Sequence, residues 1–284
     1  MNKADAIHKQ FIERILSEGV WDRSPRPKYA SDGKPAHSRF ITQVFEEYDL
    51  SKGELPITTL RPIAIEKAIE EILWIYQDQT SDLDVLEDKH GIKWWRAWDI
   101  GDGTIGQRYG ATVSRYDLMN NLLKGLLEDP FGRRHIISLL QETDLKETKG
   151  LYPCAFQTLW SARSSDIYEN GKEVMFLDVT LIQRSSDYLV AGHINMIQYV
   201  ALQMMVAHAL GMRVGKFARF TQNLHIYSRH IEQAHELLRR EGSIESPKLV
   251  LNAEGKSFYE ITSKDFELIN YNPVKPQLKF ELGI

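Results

Sequence analysis

Cysteine is almost absent from this sequence: Cys154 is the only one in 284 residues. A single cysteine excludes an internal disulfide and a thiolate metal cluster, and we expect no metal. So little cysteine is typical of a reducing compartment, which predicts a cytoplasmic protein. A lone cysteine is more often a small buried apolar residue than a reactive one. If Cys154 acts chemically, it acts as a nucleophile, because a thiolate is the strongest nucleophile available near neutral pH.

The chain also lacks a long uninterrupted hydrophobic run and a large excess of charge. Its most apolar stretch, 194–212, is broken by Gln198, Gln203 and His208, which predicts a buried helix and no membrane span. The first residues have no apolar signal-peptide core. With 35 Lys and Arg against 39 Asp and Glu, the net charge is -4. We therefore expect no nucleic-acid partner and no membrane partner.

No repeat, low-complexity segment or long linker divides the sequence, which predicts a single domain over 1–284. Periodicity and turn signals predict several elements, among them a hairpin at Asn170 and Gly171 and a helix end at Gly211. The predicted helices are 1–18, 65–76, 116–127, 194–210 and 230–239, and the main strands are 40–45, 154–163, 174–184 and 217–227, with another beginning at 133. Strands and helices that come in runs indicate an α+β layered fold with one large mixed β-sheet covered by helices.

Polar residues cluster at the predicted end of the strand 174–184 and at the start of the next helix. Arg184 and Ser185 can bind an oxyanion such as a phosphate through a charged fork and a hydroxyl donor. Asn195, at the start of the helix, is either an N-cap or a side chain that recognises a ligand. His225 and Tyr227 stand two apart on a strand and therefore face the same side.

Together with earlier segments, these residues resemble the thymidylate synthase family over nearly the whole chain. The carrying segments, in chain order, are 32–33 with 35–37, 71–74, Trp95 with Trp98, Gly106 with 109–110, 129–130, 133–134, 153–154, 183–187, Asn195 and 225–227. The first segment, 32–33 with 35–37, is similar to the shorter bacterial branch of the family. A match of so many segments in the same order is far more specific than any one of them.

The resemblance implies reductive methylation of dUMP by 5,10-methylenetetrahydrofolate, which gives dTMP and dihydrofolate. Cys154 would add to carbon 6 of uracil and so make carbon 5 nucleophilic. Arg184 would help to keep the thiol ionised. The family fold implies a homodimer formed through a face of the sheet, with dUMP and the folate as partners.

The resemblance also assigns individual residues to the nucleotide. These are Arg26, Arg133, Arg134, Gln183, Arg184, Ser185, Asp187, Asn195, His225 and Tyr227. The arginines and Ser185 would bind the phosphate, with Arg133 and Arg134 reaching the partner subunit's site. Asn195 would match the N3 donor and O4 acceptor of uracil with its own acceptor and donor. His225 and Tyr227 would hold the deoxyribose hydroxyl.

Other residues are assigned to proton transfer and to the folate. Glu71 would move protons through ordered water, although a glutamate beside Glu70 on a helix is otherwise typical of a solvated acidic face. Tyr109 lies in the stretch associated with removal of the carbon 5 proton. The expected folate contacts are Glu71, Trp95, Trp98, Asp187 and Ile284, the last of which would close over the complex.

The sequence departs from the common family pattern at Ala155, at 191–194 and at 222–223, and these departures leave two alternatives. One is a deoxyuridylate hydroxymethylase, in which water replaces hydride in the last step; Asn195 still favours a uracil substrate. The other is a catalytically silent nucleotide- or RNA-binding homologue. The presence of both Cys154 and Glu71 argues against the silent homologue.

Overall fold

The computed structural model describes residues 1–284 and confirms the α+β class. The helices are α1 Lys3–Glu18, α2 Ile65–Leu73, α3 Leu83–Asp88, α4 Gly110–Arg115, α5 Leu118–Glu128, α6 Glu142–Glu147, α7 Gly192–Ala209 and α8 Ile231–Arg239. The strands are β1 Val20–Trp21, β2 Ser38–Asp49, β3 Ile136–Ser138, β4 Ala155–Glu169, β5 Lys172–Gln183, β6 Ser186–Asp187, β7 Arg213–Tyr227, β8 Lys248–Leu251 and β9 Phe266–Ile269. None of the helices is both long and apolar enough to cross a bilayer.

A seven-stranded mixed sheet forms the centre of the molecule, in the order β1-β2-β7-β5-β4-β3, with β6 also paired to β7. The pairs β5–β7 and β6–β7 are parallel and the others are antiparallel. The predicted hairpin joins β4 to β5, and its turn residues Asn170 and Gly171 have φ of 51° and 75°. These positive values are the ones that a two-residue turn between antiparallel strands requires. The remaining strands, β8 and β9, form a separate pair.

Helix α7 lies at the centre of the main hydrophobic core. It is apolar on nearly all sides, so it is stable only when it is covered on all sides. It contacts β5 and β7 on the sheet and α2 on its opposite side. The helix ends before Gly211, whose φ of 64° confirms the predicted glycine C-cap. This packing fixes α2 and α7 relative to the ends of β5 and β7, where the polar cluster lies.

Several predicted elements have different bounds in the structure. The helix predicted over 65–76 is α2 followed by a π-helical turn, Trp74–Asp78. The tryptophans Trp95 and Trp98 lie in a 3₁₀ helix, Trp94–Trp98. Arg133 and Arg134 do not begin a strand, since β3 starts at Ile136. Helices α3, α4 and α6 were not predicted. Each has six residues, too few for a hydrophobic period to repeat.

Candidate active site

Cys154 and Arg184 are brought together by the pairing of β4 with β5. Cys154 immediately precedes β4 and Arg184 immediately follows β5, and the main-chain amide of Arg184 donates to the Cys154 carbonyl at 2.9 Å. The Arg184 guanidinium donates from Nε to the Pro153 carbonyl at 3.0 Å and from Nη2 to the Tyr152 carbonyl at 2.6 Å. The same Nη2 lies 3.4 Å from Cys154 Sγ. The cation is thereby fixed beside the thiol.

The electrostatic environment of Cys154 combines burial with positive charge. Burial raises the pKa of the thiol, while Arg184 and Arg26 act in the opposite direction. Burial is the stronger of these opposing effects, so the pKa of the thiol lies above its ordinary value. Two cations beside one thiol nevertheless favour the thiolate and any anion bound between them.

Tyr109 supports the segment that carries the nucleophile. Its hydroxyl oxygen accepts a hydrogen bond from the Cys154 main-chain amide at 3.2 Å. Burial raises the pKa of Tyr109 well above its usual value, so the phenol stays neutral. Its φ of 48° is a costly conformation for a non-glycine residue. Strain held beside a reactive cysteine is typical of a functional position.

Three side-chain amides connect the end of β5 to a buried carboxylate. Gln183 Nε2 donates to Asn195 Oδ1 at 3.1 Å, and Asn195 Nδ2 donates to Gln198 Oε1 at 3.0 Å. Gln198 Nε2 then donates to Glu71 Oε1 at 2.7 Å. Asn195 lies inside the first turn of α7, which begins at Gly192, so the N-cap alternative for this residue is wrong.

Glu71 faces the protein interior and not solvent, which removes the solvated-face alternative. Its carboxylate accepts from Trp94 Nε1 at 2.9 Å as well as from Gln198. Burial raises the pKa of Glu71, and the hydrogen bonds to it act in the opposite direction. A buried carboxyl group with a raised pKa that is linked by hydrogen bonds to the amide of Asn195 is suited to proton transfer.

A cavity of about 640 Å³ opens beside this cluster. Its ten lining residues include Arg26, Trp98, Ile100, Arg184 and Ile284. Ile284 exchanges two main-chain hydrogen bonds with Lys28, at 2.7 and 2.9 Å, so the last residue lies against the loop that carries Arg26. A wall of aromatic and aliphatic side chains with arginines beside it fits a flat heteroaromatic ligand that bears negative charge.

Asp187, His225 and Tyr227 come together where β6 pairs with β7. Asp187 is the register partner of His225, and the rings of His225 and Tyr227 are 5.1 Å apart. Burial raises the pKa of Asp187 to about 7 and lowers the pKa of His225 to about 4. His225 is therefore a neutral hydrogen-bonding group at pH 7. Its Nδ1 is 3.0 Å from Asn223 Oδ1.

Some predicted site residues are not joined to this cluster. Arg133 and Arg134 are exposed, do not line the cavity and form no side-chain hydrogen bond or ion pair with their own chain. Ser185 is half-buried, and its hydroxyl forms no hydrogen bond. Trp95 is buried behind Trp98, with their rings 5.5 Å apart, and only Trp98 lines the cavity.

Sequence reasoning missed Trp94, Gln198 and Arg219 as members of the site. Gln198 was detectable, because it stands three residues after Asn195 in a helix and therefore lies on the same face. Trp94 gave no signal that distinguishes it from Trp95. Arg219, whose Nη1 donates to Gln183 Oε1 at 3.2 Å, is brought there only by the pairing of β7 with β2 and β5.

Comparisons with known proteins show the family to which the chain belongs. The family model described as thymidylate synthase matches residues 6–284. Thymidylate synthases of Lactococcus lactis subsp. cremoris (strain SK11) and Streptococcus pneumoniae (strain 70585) are 55% and 57% identical to the chain over 285 and 286 residues, with 100% of both sequences covered. The solved thermostable thymidylate synthase A from Bacillus subtilis aligns with a TM-score of 0.87 and 32% identity over 99% of each chain.

Proposed function

Because the chain belongs to the thymidylate synthase family, we propose that the cavity beside Cys154 is where it converts dUMP to dTMP. The enzyme is a methyltransferase, and 5,10-methylenetetrahydrofolate is its co-substrate and leaves as dihydrofolate. The observation that carries the assignment to residues is the contact of 3.4 Å between Cys154 Sγ and Nη2 of Arg184, which lines the cavity. This contact supports Cys154 as the nucleophile and Arg184 as the cation that binds the phosphate.

Cys154 acts as the nucleophile that adds to carbon 6 of uracil. The addition creates an enolate, which makes carbon 5 reactive and divides one difficult step into two easier ones. Arg184 and Arg26 bind the phosphate of the nucleotide and favour the thiolate. Ser185 adds a hydroxyl donor, and His225 and Tyr227 bind the deoxyribose.

Asn195 identifies the base. One lone pair of its Oδ1 is used by Gln183 and one hydrogen of its Nδ2 by Gln198. The carboxamide retains one acceptor and one donor site, and these match the N3 hydrogen and the O4 oxygen of uracil. Cytosine presents the opposite order at these two positions, so it is rejected.

Glu71 and Tyr109 handle protons around the bound base. Glu71 is linked to Asn195 through Gln198, so its carboxyl group lies one amide away from the O4 position. Tyr109 is neutral and adjacent to Cys154, where its hydroxyl holds a water molecule that accepts the carbon 5 proton and passes it to solvent.

The folate supplies the one-carbon unit and the hydride. Trp98 and Ile284 pack against its ring system, with Trp95 supporting Trp98 from behind, and Asp187 hydrogen-bonds the ring. Their closure around the ligands excludes water from the site. Exclusion of water favours hydride transfer over hydration, which distinguishes a synthase from the hydroxymethylase alternative.

The active form is a homodimer that associates through the sheet face opposite α7. A row of residues on this face crosses four strands through Phe45, Phe220, Ile182 and Gln157, and Phe45 is 57% exposed. The other three side chains of the row are partly exposed, and a mainly apolar row of this kind on an uncovered sheet face is suited to association with a second copy. Arg133 and Arg134, which have no partner in their own chain, then reach the phosphate of the neighbouring site.

The contributing residues extend from Arg26 to Ile284, so we treat 1–284 as one catalytic domain. The expected reducing, cytoplasmic compartment still rests on the single cysteine.

Mass spectrometry of the intact protein tests the nucleophile. The protein is incubated with 5-fluoro-dUMP and 5,10-methylenetetrahydrofolate, and we expect a covalent ternary adduct at Cys154. Cys154→Ser should form no adduct and lose nearly all turnover. An adduct on another residue, or full turnover of Cys154→Ser, contradicts the assignment.

The mass of the nucleotide product tests the last step. A synthase gives dTMP and dihydrofolate, whereas a hydroxymethylase gives tetrahydrofolate and a nucleotide heavier by one oxygen. We expect dTMP, with dihydrofolate formed in equal amount.

A further inference from the structure

A buried ion pair, which the mechanism above does not use, lies at one end of the amide chain. Arg219 on β7 and Glu46 on β2 are cross-strand register partners, and they are 0% and 4% exposed. Arg219 Nε donates to Glu46 Oε1 at 2.8 Å, and the Tyr48 hydroxyl donates to Glu46 Oε2 at 2.8 Å. Burying an ion pair is costly unless its remaining hydrogen-bonding groups are also satisfied.

The free side of this guanidinium is directed at the active site. Arg219 Nη1 donates to the Gly192 carbonyl at 3.0 Å and to Gln183 Oε1 at 3.2 Å. Gln183 is the residue whose Nε2 donates to Asn195. An unbroken series of hydrogen bonds therefore runs from Glu46 through Arg219, Gln183, Asn195 and Gln198 to Glu71.

The charged groups on either side of the three amides, Arg219 and Glu71, fix the direction in which each hydrogen bond between the amides is donated. A guanidinium has only hydrogen-bond donors, so Gln183 must turn its acceptor, Oε1, toward Arg219. An ionised carboxylate has only acceptors, so Glu71 requires the amide nitrogen of Gln198. Reversal of any one amide places two donors or two acceptors in contact at both of its neighbours. The cost of such unmade buried hydrogen bonds opposes reversal.

We propose that Arg219, held in place by Glu46, is a positioning residue that fixes the orientation of the Asn195 carboxamide and thereby makes the enzyme selective for uracil over cytosine. This inference rests on the proposed function, in which Asn195 identifies the base. Arg219 does not touch the substrate. It determines which end of the Asn195 amide meets N3 and which meets O4 of the base.

The first test replaces the ion pair with uncharged side chains of similar size. Glu46→Gln/Arg219→Met removes both charges together, which avoids an unpaired buried carboxylate. Gln183 then has no donor-only neighbour, so the orientation of the Asn195 amide is held from the Glu71 end alone, through Gln198, and reversal costs less. We expect the ratio of the dCMP to the dUMP dissociation constant, measured by titration calorimetry on the intact protein, to fall by about tenfold. Arg219→Lys keeps a donor-only cation and should keep most of the selectivity.

A second variant leaves the ion pair intact and replaces the donor that residue 183 offers to Asn195 with an acceptor. In Gln183→Glu, the new carboxylate accepts from Arg219 and has only acceptors to offer Asn195, which must turn its nitrogen toward residue 183. We expect dUMP to bind more weakly and dCMP to gain in relative affinity. This variant decides the question if the double variant does not fold.

Arg240→Met is the matched control. Arg240 is also a buried arginine, and it donates to main-chain carbonyls, but it is outside the series. Its loss should lower the melting temperature without changing the ratio of dissociation constants. An unchanged ratio in both test variants overturns the proposal, as does an equal change in Arg219→Lys or Arg240→Met.

Formation of the 5-fluoro-dUMP adduct by the wild-type protein tests the proposed function independently of the role of Arg219. Wild-type protein that forms the 5-fluoro-dUMP adduct and prefers dUMP supports the function, whatever the variants show. Wild-type protein that forms no adduct and does not prefer dUMP overturns both the function and the role of Arg219.

Discussion

Arg184 and Cys154 form the central pair of the site, with Nη2 and Sγ 3.4 Å apart. The same guanidinium binds the carbonyls of the two residues before the cysteine. It therefore determines the path of the chain at the nucleophile as well as its electrostatic environment. We therefore propose that a single side chain couples phosphate binding to the reactivity of the thiol.

Replacement of Arg184 should damage both functions. In Arg184→Met, the pKa of Cys154, which burial already raises, loses the larger of its two opposing charges and rises further. We expect slower alkylation by iodoacetamide at pH 7.5 and a fall in kcat/KM on the order of 100-fold. Arg14→Met, which removes a surface arginine on α1, should change neither quantity. Wild-type alkylation kinetics in Arg184→Met would contradict this coupling.

Trp94 is expected to lower the pKa of Glu71 through its hydrogen bond. Trp94→Phe removes the donor that lies 2.9 Å from Glu71 Oε2, so the pKa of Glu71, raised by burial, rises further. The acid limb of the pH profile of kcat should move to higher pH, and kcat at pH 7 should fall by roughly tenfold. Trp21→Phe, which alters an exposed indole on β1, is the control. An unmoved acid limb would show that Trp94 does not act through Glu71.

Asp187 should make stability depend on pH. Burial raises its pKa to about 7, so the folded protein binds a proton here that the unfolded chain releases above about pH 4. The stability contributed by protonated Asp187 is complete below the pKa that this residue has in the unfolded chain, and it is lost as the pH rises through about 7. Asp187→Asn should therefore be more stable than wild type at pH 8, by roughly 2 kcal/mol in urea unfolding, and equally stable at pH 4. Its KM for the folate should rise, and a stability difference that does not change with pH would contradict the burial argument.

The stability that His90 contributes should also depend on pH, because two carboxylates contact its ring. Its Nδ1 is 2.6 Å from Glu70 Oε2 and its Nε2 is 2.7 Å from Asp78 Oδ2. Burial lowers the pKa of His90, but the two carboxylates outweigh burial and raise it. The stabilisation is complete below pH 6.5 and is lost as the pH rises through the raised pKa. His90→Gln should cost about 2 kcal/mol at pH 6 and clearly less at pH 9.5, whereas the exposed His235→Gln should cost little at either pH. Equal losses at both pH values for His90→Gln would contradict the ion-pair model.

Local patterns in the sequence were sufficient for the elements that depend on local rules. The Asn170–Gly171 turn, the buried helix α7 and its end at Gly211 were predicted because turn dihedral angles and apolar composition act over a few residues. The short helices and the 3₁₀ segment at Trp94–Trp98 were missed because their formation depends on packing against distant residues. The family resemblance located Cys154, Arg184 and Asn195, and the structure brings all three to one end of β5 and α7.

By itself, the sequence determined the family, and the family resemblance led to the residues that we propose as the nucleophile and as the reader of the base. These follow from residue identity and spacing, which are properties of the chain. Only the tertiary structure decided that Glu71 is buried, that Trp94 Nε1 donates to it at 2.9 Å, and that Arg219 donates to the first amide of the series. Burial and strand register join residues far apart in the chain: Glu46 and Arg219 are 173 positions apart and are joined by two hydrogen bonds, from Nε and Nη2 of Arg219. The direction of that series is a property of the folded protein, since it exists only when both charged ends are in place.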